Sequence, residues 1–375
     1  MLRLAGQPLS VVGRARIYVC GVTPYDVTHL GHAATFVWMD VVDRLLRRLG
    51  VQVEVCRNVT DVDDVLFVAA AKAGEHYDSF AAVQQFHFDR DMAALGVRRP
   101  AHEPRARTYV PQVLALAEAL LAKGAAYVAD GSVYFHGAAA VANTDLSREA
   151  ALELLAANGG RNDDPAKRDP LDQAVWQSSA EGEPAWPSPW GPGRPGWHAE
   201  CTAMALATYG SSVDLHAGGA DLVFPHHAFE AAMAEAVTGV TPFARTWLHV
   251  GTVQLAGQKM AKSTGNLVFV ADLLERTSAP QVRLLLLDRP YDQPWDFTEA
   301  ALTAAGERLA ALLAAAERSP ATPATPGAGT TTDAAVTPDE VLAVLAQDLN
   351  VTGAIDLALV AGGQSARDLI AVLGL

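Results

Sequence analysis

The chain has 375 residues, of which 50% are hydrophobic, 19% charged and 7% aromatic, so it can bury a sizeable core and is not globally disordered. At about 100–200 residues per domain, this length predicts two or three domains. The net charge of −14 gives no overall attraction to a phosphate backbone. This weakens a nucleic-acid-binding interpretation without excluding it, because a local basic patch can still dock RNA.

Cysteine usage and hydropathy bear on the compartment. Cys20, Cys56 and Cys201 stand far apart, and an odd number at such spacings does not build the disulfide framework of a small secreted module. The start of the chain lacks the apolar run and cleavage site of a secretory leader, and no stretch of about 18–20 apolar residues occurs. We therefore expect a cytoplasmic protein with no membrane partner.

The first elements have the pattern of strand, helix and strand. Residues 16–23 form a short apolar run, residues 35–49 place apolar side chains at intervals of three and four, and residues 51–60 alternate apolar and polar. Together they predict a βαβ unit of a doubly wound sheet, which binds ligands at the carboxyl ends of its strands. Cys56 lies inside the second strand and is predicted to be a buried thiol.

The middle of the chain interrupts this pattern. Residues from about 65 to 128 have mainly helical periodicity, and the Gly, Pro and Asp content of residues 156–195 predicts a loop. The pattern then resumes with a predicted strand over 211–219, a helix over 226–237 and a strand over 246–257. An α/β fold split by an insertion is therefore expected.

The end of the chain is of a different kind. Residues 319–338 are low-complexity Pro, Thr, Ala and Gly, which is typical of a flexible linker. We expect a catalytic domain over 1–270 with its insertion at about 65–175, a helical segment over 271–318, and a short helical region over 339–375.

The first candidate site is the motif His29-Leu30-Gly31-His32, where the first predicted loop meets the first helix. A helix N-terminus offers free N–H groups and a partial positive charge to a phosphate. Gly31 lets a ligand approach the backbone, and two imidazoles can donate to phosphate oxygens. On its own, so short a motif is more often a turn with two surface histidines.

The second candidate site is KMAKSTGN at residues 259–266, which holds two of only five lysines in the chain. Two ammonium groups on a glycine-bearing loop suit a polyphosphate whose charge must be stabilised during transfer. Alone, this loop would be an ordinary solvated turn. The two motifs gain weight because they stand in order, one in each half of the split fold.

The paired motifs resemble the HIGH and KMSKS signatures of class I aminoacyl-tRNA synthetases. YVCGVTPYD, NVTDVDD, EPAWPSPWGPGRPGWHAEC, GGADLVFPHH and KMAKSTGN are similar, in this order, to blocks of the cysteinyl group. That group contains the cysteinyl-tRNA synthetases and shortened relatives that join cysteine to glucosaminyl-inositol in the mycothiol pathway. The resemblance implies an α/β fold, with a class I synthetase-type Rossmann (HUP) catalytic domain split by an insertion and followed by a small α-helical C-terminal region that begins with a stem-contact-like segment.

The resemblance also implies a metal site. Cys20, Cys201 and His226 match positions that bind zinc in this family, and Glu230 matches a fourth ligand of the synthetases. Spacing alone favours inert buried thiols, although His226 and Glu230, four residues apart, would share one helix face. This donor set suits one Zn²⁺ per chain, to which a cysteine substrate can bind as a thiolate, whereas serine is a much poorer ligand. The adjacent His227 points about 100° away on a helix and is expected to be a supporting or structural residue.

The substrate-binding residues follow from the same resemblance. Asp221 would hold the substrate ammonium, and the amino-acid pocket would be lined by Thr23, Thr60 and Trp197. ATP, with Mg²⁺, would be bound by Thr28, His29, Gly31, His32, Lys259, Met260, Lys262 and Ser263. Among these, the catalytic groups that stabilise the reacting phosphate would be His29, His32, Lys259 and Lys262. Ala261 replaces the usual middle serine of KMSKS, which removes one hydroxyl and leaves a weakened paralogue as an alternative.

The acceptor is less directly indicated. THLGHAAT (28–35) resembles the mycothiol enzymes, and the short segment after the linker leaves little room for an anticodon-binding tail. Two features instead resemble the tRNA enzymes, namely a carboxylate at the fourth ligand position, Glu230, and the segment QDLNVTGAIDLAL (347–359). We expect an ATP-dependent cysteine ligase that forms cysteinyl-AMP and then an amide with glucosaminyl-inositol, so that its partners are small molecules rather than tRNA. A tRNA-charging enzyme and a non-catalytic zinc- or nucleotide-binding paralogue are the alternatives.

Overall fold

The computed structural model describes residues 2–25, 28–260, 265–318 and 336–375. The described helices are α1 (Leu30–Arg48), α2 (Asp64–Ala73), α3 (Tyr77–Ala94), α4 (Val110–Ala122), α5 (Ala138–Ala142), α6 (Arg148–Ala157), α7 (Trp197–Tyr209), α8 (Ala228–Thr238), α9 (Val270–Leu274), α10 (Ala279–Leu287), α11 (Glu299–Glu317), α12 (Pro338–Leu345), α13 (Val351–Ala361) and α14 (Gly363–Leu373). The described strands are β1 (Arg3–Leu4), β2 (Gln7–Pro8), β3 (Arg14–Val22), β4 (Gln52–Val59), β5 (Ala126–Ala129), β6 (Ser132–Phe135), β7 (Gln173–Ser178), β8 (Gly193–Pro195), β9 (Leu215–Gly219), β10 (Trp247–Val250), β11 (Val253–Leu255), β12 (Gln258–Lys259) and β13 (Trp295–Asp296).

A four-stranded sheet in the order β10-β9-β3-β4 lies at the centre, and each neighbouring pair of its strands is parallel. This confirms the predicted α/β fold class. The predicted helix started at residue 35, whereas α1 begins at Leu30. The earlier start arises because the Nδ1 atom of His29 accepts a hydrogen bond from the Gly31 backbone N–H and caps the helix. Because parallel strands end at the same edge, residues that follow β3, β4 and β9 meet there.

The segment between β4 and β9 carries a second sheet, antiparallel and in the order β5-β6-β7-β8. The prediction of a loop over 156–195 is wrong for part of this range, because β7 and β8 lie within it and pair with each other. Glycine and proline correctly mark the turns on either side. The buried side chains of Val175 and Trp176 hold β7 in the core of this sheet.

The predicted single strand over 246–257 is also wrong, since it is two strands in different sheets. Strand β10 pairs with β9, whereas β11 pairs with β12 and β13. Between the two strands lies Gly251, where a Cβ atom would collide with the backbone of Gln293. Strand β12, which pairs with β11, carries Lys259 of the second motif.

The C-terminal helices pack on the same core as the central sheet. Buried Leu285 of α10, Ile355 of α13 and Leu369 of α14 belong to one continuous cluster with the side chains of α1 and β3. Most of the predicted linker, residues 319–335, lies outside the described residues, and α12 begins at Pro338. Among the described residues, no helix is long and apolar enough to cross a membrane.

Candidate functional site

Four potential metal ligands converge at the carboxyl edge of the central sheet. Cys20 lies near the end of β3, Cys201 in α7, His226 in a turn before α8, and Glu230 in the first turn of α8. One ligand atom from each lies within 4.8 Å of all the others, and all four residues are buried. The Cys20 Sγ atom is 3.5 Å from Glu230 Oε2, and His226 Nε2 is 3.7 Å from Glu230 Oε1. The residues matched to zinc ligands are therefore brought together.

Two further histidines lie beside the same carboxylate. His216 Nε2 is 3.2 Å and His227 Nε2 is 4.0 Å from Glu230 Oε2, and both histidines form a second possible ligand set with Cys20 and Glu230. His226 and His227 both stay near Glu230 because residues 223–227 form an irregular π-type turn in which Phe224 is extended. His216 was not predicted from the sequence; the register of β9 against β3, which pairs His216 with Tyr18, places it here.

Burial controls the protonation of three of the four potential ligands. Burial raises the pKa of the Cys20 thiol well above its usual value and that of the Cys201 thiol to about 12. Burial also lowers the pKa of His226 far below its usual value. Without a bound cation, both thiols and the imidazole are therefore neutral at pH 7, and a divalent ion would favour the thiolate forms. Two sulfurs, an imidazole nitrogen and a carboxylate oxygen are a donor set that fits Zn²⁺.

Neighbouring side chains fix the orientation of these donors. Asn58 Nδ2 donates to Cys201 Sγ at 3.1 Å, while its Oδ1 accepts from the Gly21 backbone N–H at 2.8 Å. The Nδ1 atoms of His198 and His226 are 2.8 Å apart, so one ring donates to the other. Such contacts hold metal-binding side chains in place. Sequence reasoning missed Asn58, although it stands in the NVTDVDD block.

The residues expected to bind the amino acid surround this cluster. The Oγ1 atoms of Thr23 and Thr60, just after β3 and β4, are 2.7 Å apart. The Trp197 ring stacks on that of His226, with centroids 4.0 Å apart and an angle of 21° between the planes. Asp221 follows β9, and its Oδ2 accepts a hydrogen bond from Lys259 Nζ at 2.6 Å. Its carboxylate is thus paired with a residue of the second motif.

The first motif forms a compact start to α1. The rings of His29 and His32 stack with centroids 3.9 Å apart, and a Cβ atom at position 31 would lie 2.8 Å from His29 Cε1. Thr28 is buried, and its hydroxyl has no hydrogen-bond partner among the described residues. Burial, followed by the charges of His32 and Lys259, lowers the pKa of His29 to about 3. His29 is therefore neutral at pH 7.

The two motifs are joined through the backbone. The Leu30 N–H donates to the Val268 carbonyl at 2.9 Å, and the Val270 N–H donates to the Thr28 carbonyl at 3.1 Å. Met260, expected to bind ATP, is buried in the core, and its backbone N–H donates to the Val253 carbonyl at 3.1 Å. Lys262 and Ser263, both expected to bind ATP, lie outside the described residues.

Comparisons with known proteins identify close relatives. The family of tRNA synthetases class I (C) catalytic domains matches residues 8–307. The chain is 45% identical over 321 residues to the L-cysteine:1D-myo-inositol 2-amino-2-deoxy-alpha-D-glucopyranoside ligase of Acidothermus cellulolyticus, covering 84% of this chain and 79% of that one. It is also 44% identical over 295 residues to the cysteine--tRNA ligase of Rhodospirillum centenum, covering 78% and 64% of the two chains.

A solved structure shows the same fold. Mycobacterium tuberculosis methionyl-tRNA synthetase in complex with methionyl-adenylate superposes with a TM-score of 0.65 at 18% identity, over 97% of this chain and 82% of that one. At this identity the likeness concerns the fold alone. The resemblance to the cysteinyl group of class I enzymes is confirmed by the family match and the sequence relatives.

Proposed function

Because the chain belongs to the family of class I (C) tRNA synthetase catalytic domains and is a ligase, we propose that it activates L-cysteine with ATP and joins it to the amine of glucosaminyl-inositol, a step of mycothiol biosynthesis. The observation that carries this proposal is the convergence of Cys20, Cys201, His226 and Glu230 at the strand edge next to Trp197. The name of the Acidothermus relative supports the choice of acceptor.

Selection of cysteine is assigned to the buried cluster. Cys20, Cys201 and His226, with Glu230, would hold Zn²⁺, which when bound supplies a position that accepts a thiolate and binds a serine hydroxyl poorly. Thr23, Thr60 and Trp197 would line the amino-acid pocket. Asp221 would receive the substrate ammonium in exchange for the Lys259 ammonium that it now holds.

The activation step is a nucleophilic displacement at the α-phosphorus of ATP. An oxygen of the cysteine carboxylate attacks the α-phosphorus of Mg²⁺-ATP, and pyrophosphate leaves with the electrons of the broken P–O bond. Neutral His29 accepts a hydrogen bond at Nδ1 from Gly31, so its proton is on Nε2 and can be donated to a phosphate oxygen. His32, Lys259 and Lys262 complete the set of groups that balance the phosphate charge.

Transfer forms an amide. The free amine of the sugar attacks the carbonyl carbon of cysteinyl-AMP, a C–N bond forms, and AMP leaves with the electrons of the broken C–O bond. The amine loses one proton to solvent. A free amine needs no protein base, so the chain contributes mainly by holding both reactants in position.

A cysteinyl-tRNA ligase activity is the second candidate. The observations that favour it are the buried Glu230 beside both thiols and the 44% identity to the Rhodospirillum enzyme. In that case a ribose hydroxyl of tRNA takes the place of the amine, and the product is an ester. Such an enzyme binds its acceptor with a steep dependence on salt, unlike a sugar ligase.

A cytoplasmic location is part of the proposal. The three cysteines form no disulfide in the structure. The cytoplasm keeps thiols reduced, and Cys20 and Cys201 must be reduced to bind a metal.

Mass spectrometry of the products tests the proposal. The purified chain is offered cysteine and ATP together with glucosaminyl-inositol or with tRNA. We expect the cysteinyl amide of the amino sugar, with AMP and pyrophosphate released in equal amounts. Cysteinyl-tRNA as the only product would establish the second candidate. A chain that forms neither product and shows no cysteine-dependent exchange of pyrophosphate into ATP would be a non-catalytic paralogue.

A further inference from the structure

A cavity of about 370 Å³ lies between the catalytic sheet and the inserted segment. One side is formed by Tyr25 and Val62, which follow β3 and β4, and the opposite side by Asp164 and Lys167 of the insertion. Its size falls in the range of about 300–1,000 Å³ that pockets for small ligands occupy. None of the residues matched to cysteine or ATP, except Trp197, lines it.

The cavity adjoins the amino-acid site. Trp197 lines the cavity and stacks on His226 of the metal cluster. Tyr25 lies two residues after Thr23, and Val62 lies two residues after Thr60. The cavity and the expected cysteine pocket therefore share Trp197 and lie beside the ends of the same two strands.

The polar groups of the cavity suit a ligand with many hydroxyls and one amine. Asp63, Asp64 and Asp164 face it together with Arg161 and Lys167, and Asp64 is paired with Arg194 at 2.8 Å, so carboxylates and cations are balanced. Hydroxyls both donate and accept hydrogen bonds, and a mixture of carboxylates and cations can satisfy them. A balanced lining gives a polyanion, such as the phosphate-bearing end of a nucleic acid, no net electrostatic attraction.

Two of these groups are arranged to meet a ligand. Asp164 is held in place because its Oδ2 accepts from the Tyr134 hydroxyl at 2.9 Å and its Oδ1 from the Ala166 N–H at 3.0 Å. The Lys167 ammonium makes no hydrogen bond or ion pair with another described residue, although it is half-buried. Burial lowers the pKa of Lys167, which means that its charge is incompletely solvated and gains from a hydroxyl partner.

We propose that this cavity binds the acceptor, a polyhydroxylated amino sugar, with Asp164 and Lys167 as specificity-determining residues. The inference rests on the proposed ligase function and places the second substrate on the far side of Trp197 from the metal cluster. The amine then approaches the cysteinyl carbonyl along the Trp197 ring.

The test compares Asp164→Asn and Lys167→Gln with two matched exposed controls outside the cavity, Asp145→Asn and Lys123→Gln. The measured quantity is the KM for glucosaminyl-inositol divided by the KM for cysteine in pyrophosphate exchange. This ratio should rise about tenfold or more in the cavity variants, as expected for the loss of one charge-assisted hydrogen bond, and stay at the wild-type value in the controls. Thermal melting of all four variants identifies any change that comes from unfolding.

The outcomes separate this inference from the proposed function. If the wild-type chain forms no amide with the amino sugar, the proposed function falls and the cavity assignment with it. If the wild-type chain forms the amide but both cavity variants keep the wild-type ratio, only the cavity assignment is wrong. A selective effect of both variants on tRNA charging would assign the cavity to a nucleic acid and also overturn the inference.

Discussion

The ammonium of Lys259 lies 2.6 Å from a carboxylate oxygen of Asp221, so a residue expected to bind ATP is paired with one expected to bind the cysteine ammonium. Their side chains are 53% and 39% exposed, and an ion pair this accessible to solvent contributes at most about 1 kcal/mol. A substrate ammonium at Asp221 therefore displaces Lys259 at little cost. The released lysine is then available to the phosphates of ATP.

This pairing predicts that cysteine and ATP favour each other's binding. Saturating cysteine should lower the apparent KM for ATP by up to about fivefold, which corresponds to about 1 kcal/mol of coupling. In Asp221→Asn the KM for cysteine should rise and the coupling should disappear, because Lys259 is already free. Pyrophosphate exchange measured over a grid of both substrate concentrations gives the coupling. Asp292→Asn, at an exposed carboxylate elsewhere, should retain it, and equal coupling in both variants would contradict the prediction.

Buried His29 predicts a loss of stability in mild acid. Burial, then His32 and Lys259, lowers the pKa of His29 from 6.5 to about 3. Between these values the unfolded chain binds a proton at His29 that the folded chain does not, so the stability associated with neutral His29 is complete above pH 6.5 and decreases as the pH falls toward 3. His29→Asn keeps a capping side chain and removes this titration. Its free energy of unfolding should therefore fall less steeply with pH than that of the wild type, by up to roughly 1 kcal/mol per pH unit.

Urea unfolding at pH 7.0, 6.0 and 5.0 measures this difference. His76→Asn is the matched control, because His76 caps α3 in the same way while its side chain is 68% exposed. If the His29 and His76 variants change the pH dependence of the free energy of unfolding equally, burial of His29 at the start of α1 does not cause the change.

The thiol cluster predicts a specific effect of metal loss. Cys201→Ser should lower the bound zinc at least about tenfold and remove the preference for cysteine over serine in pyrophosphate exchange. Cys56→Ser is the control, since Cys56 is equally buried but its closest polar partner is Thr208 at 4.0 Å. Elemental analysis after gel filtration reports the metal. Unchanged zinc and unchanged selectivity in Cys201→Ser would remove the cluster from substrate choice.

Local patterns and motifs were enough to predict the framework of this site. The strand, helix and strand periodicity around residues 16–60 identified the unit that carries Cys20. The family resemblance identified Cys201, His226 and Glu230 as metal ligands, and in the structure one ligand atom of each lies within 4.8 Å of the others. Periodicity is a local property, and for these elements tertiary packing did not override it.

Features that depend on distant pairing were not predictable in this way. His216 lies next to Glu230 because β9 pairs with β3 in a particular register. A single histidine in an apolar strand has no sequence spacing to other ligands from which a metal site could be predicted. Asp221 and Lys259 are 38 residues apart in the sequence; Asp221 follows β9, whereas Lys259 lies in β12, a strand of a different sheet. Strands β7 and β8 were not predicted from the sequence, because glycine and proline dominate the composition of the turns that flank them.

A buried ion pair ties the C-terminal helices to α1, which packs on the central sheet, and leads to the last prediction. Arg283 of α10 donates to Asp40 of α1 at 2.7 Å and to the carbonyl of Leu373 at the end of α14, and the side chains of Arg283 and Asp40 are 1% and 0% exposed. Replacing Arg283 with Met leaves a buried carboxylate without this partner and a buried carbonyl without its donor. Arg44 still pairs with Asp40 at 2.7 Å. Arg283→Met should therefore lower the free energy of unfolding, measured by urea denaturation, by about 2–3 kcal/mol, as expected for buried acceptors that lose their donor.

Arg276→Met is the comparison that isolates burial from charge. Arg276 pairs with Glu299 through two contacts of 2.7 Å, but their side chains are 49% and 64% exposed, so its loss should change the stability by less than about 1 kcal/mol. A comparable effect of the two substitutions would mean that Arg283 does not anchor α14. A large effect of Arg283→Met alone means that this buried guanidinium holds α10 and α14 against α1.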